Sequence, residues 1–223
     1  DLIEEAARLF GYEHITPCFP HMSLMPGPRN NEFLWQEKMR DILANAGYVE
    51  TEVYEFVGDR ELNQFFLSAS QSVELQNPMN ADQRYLVPRL LVKYATCVKE
   101  NLNHVDMVKI FGVGKSFIVN QKIIHERKDL CLALARKGVK DGDEFYELKG
   151  VIDTLLESLG IEEYGYSEQT AHDRGYGTGI FHPYRVAEIK ANGIMLGMIG
   201  EIHPEILKQI KSKTRIIAAE LFV

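Results

Sequence analysis

Cysteine is scarce in this chain: Cys18, Cys97 and Cys131 are the only three among 223 residues, they lie far apart, and no CxxC pair occurs. That excludes a disulfide framework and a zinc ribbon, and implies buried thiols in a reducing compartment, the cytoplasm. Long apolar runs are missing too. None approaches the roughly 18 residues that a membrane-crossing helix needs, so no membrane span is expected. Basic charge is in the minority, with 25 Lys and Arg against 32 Asp and Glu and a formal net charge of −7. An acidic chain is a poor general binder of nucleic acid, because phosphate contact depends on a basic surface; a grip on RNA must come mostly from elsewhere. No basic-then-apolar leader is visible, since DLIEEAARLF reads as an acidic amphipathic helix. No self-similar period of roughly 20 to 50 residues recurs, which removes repeat architectures.

What is present is an ordinary globular mixture, 45% hydrophobic and 26% charged, enough for one large domain or two small ones. Leu2, Ile3, Ala6, Leu9 and Phe10 recur at helical spacing, with Gly11 where a helix ends. Residues 16–31, TPCFPHMSLMPGPRNN, hold four prolines and one glycine without periodicity. A linker at a domain boundary fits them, and a long ordered loop over one domain is the alternative. A second helix is expected from Asn31 to Ala46, striped by Trp35, Met39, Ile42, Leu43 and Ala46. YVETEVYEFV then alternates like a half-exposed strand, DRELNQFFL suggests a short helix, and SVELQNPM a strand running into a turn.

A fourth helix carries Leu86, Leu90, Leu91, Tyr94, Val98 and Leu102 on one side. MVKIFGVGKSFIV and DLCLALA are apolar on both faces, as central strands are. Asp143 can cap a helix running through Leu159 to Gly160. Asn192-Gly193 is a strong hairpin signal, a helix opens at Pro204, and TRIIAAELFV is a last strand. Hairpin-connected strands of this kind give an α+β fold, a largely antiparallel sheet flanked by helices.

Few motifs carry chemistry by themselves. GVGKSF at 112–117 has the lysine and serine of a phosphate-binding loop, yet Val108 stands where the first glycine is required. A core strand with small residues under a helix explains it better. His172, Asp173, His182 and His203 match no zinc spacing, and the two His-Pro pairs read as turn and cap elements. DRGYGTGIF at 173–181 is a glycine-rich connection that can approach a ligand closely. Asp1, Glu4 and Glu5 share one helical face, a geometry that can hold a hard cation such as magnesium or can simply complement a helix N-terminus. On spacing alone, capping is favoured.

In order along the chain, DLIEEAARLFGYEHI, NPMNADQRYLVPRLL, NLN at 101–103, IFGVGKSF, FYELKGVIDTLLESLGI and HPYRVAEI…GMIGEIHPEIL resemble the β subunit of bacterial-type phenylalanyl-tRNA synthetase. The likeness covers nearly the whole chain. Its most specific pieces are FYELKGV and the pattern HPxRxAEIxxNGxxLGxIGEIHPE. Departures fall at Val87, where the family usually has arginine, at Arg89, where it has serine, and in IFGVGKSF, where FEIGKVF is usual.

The resemblance implies a core akin to the class II aminoacyl-tRNA synthetase catalytic domain. It implies a helix of a preceding domain over 1–15, a linker over 16–31, and a catalytically inactive class II-like core over 32–223. Helix 31–46 would build a subunit interface. Phe181-His182-Pro183-Tyr184-Arg185 stands where the catalytic α subunit has an aromatic segment against the amino acid. Lys115 is the residue offered where the second class motif needs a phosphate-holding arginine, and lysine is not equivalent at a bidentate site. The glycine-rich third motif is not found. No catalytic residue is therefore expected.

Asp1, Glu4 and Glu5 match a magnesium site shared with the α subunit, which raises the metal reading above capping. The holoenzyme implied is α2β2, consuming ATP and phenylalanine to charge tRNA in the cytoplasm. A stand-alone acid-activating ligase and a free-standing interaction module are the rival readings. Pyrophosphate exchange separates the first from an inactive core, and copurification of an α subunit separates the second.

Overall fold

The runs Leu130–Ala135 and Ile217–Leu221 are buried on both faces, and a strand buried twice requires helices on each side of its sheet. The computed structural model describes residues 1–22, 25, 27–138, 142–168 and 178–223, which form two compact units, Asp1–Asn31 and Glu32–Val223. In the first unit, α1 (Leu2–Phe10) buries none of its residues, and Leu2, Ile3, Leu9 and Phe10 are exposed. A 3₁₀ turn, Tyr12–His14, follows it.

The second unit opens with α2 (Asn31–Asn45) and is built on a seven-stranded sheet. Its strands are β1 (Val49–Glu50), β4 (Met107–Asn120), β5 (Ile123–Arg136), β6 (Tyr164–Glu168), β7 (Phe181–Ala191), β8 (Ile194–Ile202) and β9 (Ile217–Phe222). They lie in the order β1-β4-β5-β9-β8-β7-β6. Every pairing is antiparallel except β1 with β4. A separate two-stranded ribbon pairs β2 (Phe56–Val57) with β3 (Tyr85–Leu86).

Two hydrophobic clusters follow from the alternation. On one face, Met39 and Leu43 of α2 and Leu148, Ile152, Leu155 and Leu156 of α5 (Asp143–Ser158) cover Leu130, Leu132, Leu134, Ile217 and Ala219. On the other, α3 (Asp59–Gln64), α4 (Leu91–Asn101) and α6 (Pro204–Gln209) cover Val108, Ile110, Ala133, Met198 and Ala218. Each fully buried Leu, Ile or Val contributes about 1.5–3 kcal/mol. No helix among the described residues is long and apolar enough to cross a membrane.

Several local expectations are corrected. The single strand expected over 48–57 is two short pieces, β1 and β2, in different sheets. Between them the chain is held by other groups: Thr51 N–H donates to the Phe111 carbonyl at 2.8 Å, the Tyr94 hydroxyl donates to the Thr51 carbonyl at 2.6 Å, and Lys115 N–H donates to Glu55 Oε1 at 2.5 Å. SVELQNPM makes only an isolated bridge, Glu74 to Tyr85. Leu86 belongs to β3, not to the fourth helix, because Pro88 drives the residue before it out of helical geometry and α4 starts at Leu91. Asp143 is the first residue of α5 and not its cap; Gly142, at φ 82°, takes that place.

MVKIFGVGKSFIV lies next to the edge piece β1, and only part of β4 is buried. Of the three free cysteines, only Cys131 is buried; Cys97 is partly covered and Cys18 is exposed. The β4–β5 turn at Gln121-Lys122 takes positive φ at both residues (49° and 66°) without glycine or asparagine, so the usual signal is missing. The Asn192-Gly193 turn of β7–β8 has the expected pair of positive φ angles, 51° and 78°.

GVGKSF lies inside β4, and its first glycine has a packing reason. A Cβ on Gly112 would overlap the Tyr94 hydroxyl oxygen and stand 2.5 Å from the Thr51 carbonyl oxygen. Gly112→Ala should therefore cost about 1–3 kcal/mol by overpacking. Adding Tyr94→Phe, which removes one of the two clashing oxygens, should recover part of that loss; urea unfolding of the two single variants and the double variant measures the coupling.

Candidate functional site

The β7–β8 hairpin begins with a local detour. Phe181 pairs with Ile202 and Val186 with Gly200, so His182–Arg185 bulge out of the ladder. Phe181 turns inward and is buried among Ile180, Met198 and Ile202. Gly200 must stay small beneath the bulge, since a Cβ there would stand 2.7 Å from the Arg185 carbonyl oxygen. His182 Nδ1 accepts from Tyr184 N–H at 3.1 Å, Tyr184 points outward, and Arg185 donates to Glu201 at 2.7 Å. The aromatic ring of this wall thus fills its own side of the core. Burial, helped by Arg185, holds His182 below the usual histidine range. His203 caps α6 through Nδ1, accepting from Glu205 N–H at 3.1 Å, so both His-Pro pairs are turn and cap elements. His172, Asp173 and the 173–177 part of the glycine-rich stretch lie outside the described residues.

A buried charge cluster sits on the α4 side of the sheet. Alternation along β5 puts Arg127, Asp129 and Cys131 on that side, opposite Ser116, Gly114 and Gly112 of β4. Glu220 of β9 is the cross-strand partner of Cys131. Arg127 donates to both oxygens of Asp129, at 2.5 Å from Nε and 3.0 Å from Nη2, and the Ser116 hydroxyl donates to Asp129 at 2.6 Å. Arg89, only 3% exposed, forms an ion pair with fully buried Glu220. Arg127 Nη2 stands 3.7 Å from the same Glu220 carboxylate, and its guanidinium lies 3.9 Å over the Phe222 ring.

Burial pushes the Glu220 carboxyl above its ordinary range, against the pull of Arg89. Burial likewise pushes the Cys131 thiol well up, which makes it inert. Two guanidinium groups thus meet two buried carboxyl groups. Lys115 does not belong to it. It is opposite Lys128 on the other face and pairs with Glu126 at 2.6 Å. Val87 is a fully buried apolar residue. The sequence reading named Arg89 only as a departure from a pattern and missed Arg127, Asp129 and Glu220; a lone glutamate inside the apolar run IIAAELF was the available signal.

The α2 side carries an apolar groove of about 410 Å³, lined by Trp35, Met39, Leu156, Leu159, Leu196 and Leu221 among others. Met39 and Leu43 are buried, while Trp35 is 47% exposed, beside exposed Phe33 and Leu34. On the opposite side a polar cleft of about 410 Å³ opens near α3 and α4; there Lys93 donates to both oxygens of Glu61, at 2.7 and 2.9 Å.

Asp1, Glu4 and Glu5 follow one another on the first turn of α1. Asp1 makes no side-chain cap hydrogen bond, and Glu5 is paired with Arg8. Among the described residues no group of three or more His, Cys, Asp or Glu side chains is placed to hold a metal ion.

The sheet order and its helical covers have close counterparts among solved structures. Two structures of pyrrolysyl-tRNA synthetase from Desulfitobacterium hafniense superpose with TM-scores of 0.69 and 0.68 over 87% and 85% of this chain, and 64% and 66% of theirs, at 15% and 16% identity. The fold is that of the class II aminoacyl-tRNA synthetases. Residues 15–223 match the family described as phenylalanyl tRNA synthetase beta chain CLM domain, and the chain belongs to that family.

Among curated relatives named phenylalanine–tRNA ligase beta subunit, that of Moorella thermoacetica is 30% identical over 99% of this chain. That of Syntrophus aciditrophicus is 29% identical over 100%, and that of Bacillus subtilis 28% over 96%. The chain spans 27–29% of the length of these relatives.

The buried pair gives a signed pH dependence. Arg89→Met would leave Glu220 buried without its partner, costing about 3–5 kcal/mol at neutral pH. A carboxyl whose folded pKa is raised contributes stability that is present below its unfolded value and lost as pH rises through the folded value. The deficit of Arg89→Met relative to the native chain should therefore be smaller around pH 5 than around pH 8, as urea unfolding at both would measure.

Proposed function

We propose that residues 32–223 are a non-catalytic class II core of a phenylalanine–tRNA ligase β subunit, which scaffolds a catalytic α subunit. The observation that carries this reading is the charge cluster: its guanidinium groups face buried carboxyl groups, where nucleotide chemistry needs arginines free for phosphate. Residues 16–31 act as a linker, and 1–15 as a helix belonging to a neighbouring domain. The holoenzyme is an α2β2 assembly that charges tRNA with phenylalanine at the expense of ATP, in the cytoplasm. The tRNA is gripped by other parts of that assembly, in keeping with the acidity of this chain.

The α subunit docks on the α2 side. Exposed Trp35 beside an apolar groove is the kind of patch that marks a partner surface. A pull-down with the matching α subunit tests this, and Trp35→Asp should weaken capture about tenfold or more, as loss of a central aromatic anchor does. The chain without α should give no phenylalanine-dependent pyrophosphate exchange. Exchange in an α-free preparation would defeat the non-catalytic reading.

Asp1, Glu4 and Glu5 serve magnesium only when further ligands complete the set, because magnesium demands near-octahedral oxygen coordination and yields its waters reluctantly. Calorimetry on the chain alone should detect no tight magnesium binding, whereas the assembly should lose bound magnesium when Glu4 and Glu5 become glutamine. Tight, stoichiometric binding by the chain alone, lost in the same variant, would overturn this.

A further inference from the structure

We infer that Asp129 and Glu220 serve as an internal counter-anion, seated in an arginine–serine constellation whose donors suit a phosphate-type oxyanion. The inference rests on the non-catalytic reading above and gives it a physical cause. The donors are Arg127, which offers two N–H groups to Asp129, the Ser116 hydroxyl at 2.6 Å, and Arg89 against Glu220. A planar guanidinium fork backed by a hydroxyl is a strong and geometrically selective receptor for oxygen anions.

Arg127 Nη2 is shared, 3.0 Å from Asp129 Oδ2 and 3.7 Å from Glu220 Oε2, so the two carboxylates converge on one donor. The Phe222 ring under Arg127 holds the guanidinium plane in place. Both carboxylates are wholly buried, while the Arg127 side chain is 25% exposed. Arg127 is thus the side on which a small solute meets the cluster. Carboxylates tethered to neighbouring strands act at an effective concentration no free anion reaches. Set against the two guanidinium groups, they occupy the donors that an external phosphate would need.

The test is Asp129→Asn combined with Glu220→Gln in the 223-residue chain, a near-isosteric change that removes both negative charges. Inorganic pyrophosphate is the probe, with potassium chloride at equal ionic strength as control, read by calorimetry and thermal unfolding. The amide variant should bind pyrophosphate at least about tenfold more tightly than the native chain, the scale of one charge-assisted hydrogen bond, and pyrophosphate should raise its Tm. Adding Arg127→Met should abolish the gain.

A folded amide variant that responds to pyrophosphate no more than the native chain does would overturn the inference and leave the non-catalytic reading standing. Tight binding by the native chain would overturn both. Should the amide variant be unfolded in buffer, refolding by pyrophosphate but not by chloride supports the inference, and failure to refold in either overturns it.

Discussion

A carboxylate in the middle of a strand that is buried on both faces cannot remain there alone, and Glu220 is such a carboxylate. Isolated, its charge would cost several kcal/mol of lost hydration. The architecture around it supplies compensation from three directions. Arg89 reaches it from the segment between β3 and α4. Arg127 comes from β5, the strand hydrogen-bonded to β9. Asp129 then balances the second guanidinium, and Ser116 of β4 satisfies Asp129. The register of three adjacent strands and the start of α4 are thus tied to one ion cluster. A one-residue slip of β5 against β9 would send Asp129 and Arg127 to the opposite face and break it.

Shape and chemistry separate cleanly in this molecule. The antiparallel sheet, its two helical covers and the β7–β8 wall follow the class II plan, as the superposition on pyrrolysyl-tRNA synthetase shows. In the interior, Phe181 occupies its own side of the wall, Val87 is plain core, and the arginines of the α4 side face carboxylates. At the surface, the α2 side presents a half-exposed tryptophan beside an apolar groove.

Elements whose burial repeats along the chain were readable from sequence. The helices α2 and α5, the Asn192-Gly193 turn and the cap at His203 rest on local patterns, and the structure has them. What escaped depended on contacts distant in sequence. The break between β1 and β2 is made by Tyr94 and by a Glu55 carboxylate turned onto β4, and no pattern within 48–57 reports either. β6 is only five residues long, and its alternating Tyr164 and Tyr166 are only partly buried. The Gln121-Lys122 turn is specified by the long pairing on either side and not by its own residues. The cluster was half legible: Arg89 stood out against a family pattern, but its partners Glu220 and Arg127 are neighbours only after β5 and β9 pair.

That long pairing has a consequence for time. β4 and β5 match residue for residue from Met107–Arg136 out to Asn120–Ile123, whereas β9 accompanies β5 only over Asp129–Leu134 and β1 accompanies β4 only at Ile110–Phe111. Beyond Asp129, among the described residues, the ribbon is tied to the rest of the domain by Phe117 N–H donating to the Val87 carbonyl on β4 and by Val223 N–H donating to the Lys128 carbonyl on β5. Local opening therefore has a direction: it starts at the Gln121-Lys122 tip, runs inward one rung at a time, and stops where Asp129 meets its arginine. The sheet behaves as a zipper with a latch, and the latch is the boundary between the part that breathes and the part that opens only with the whole domain.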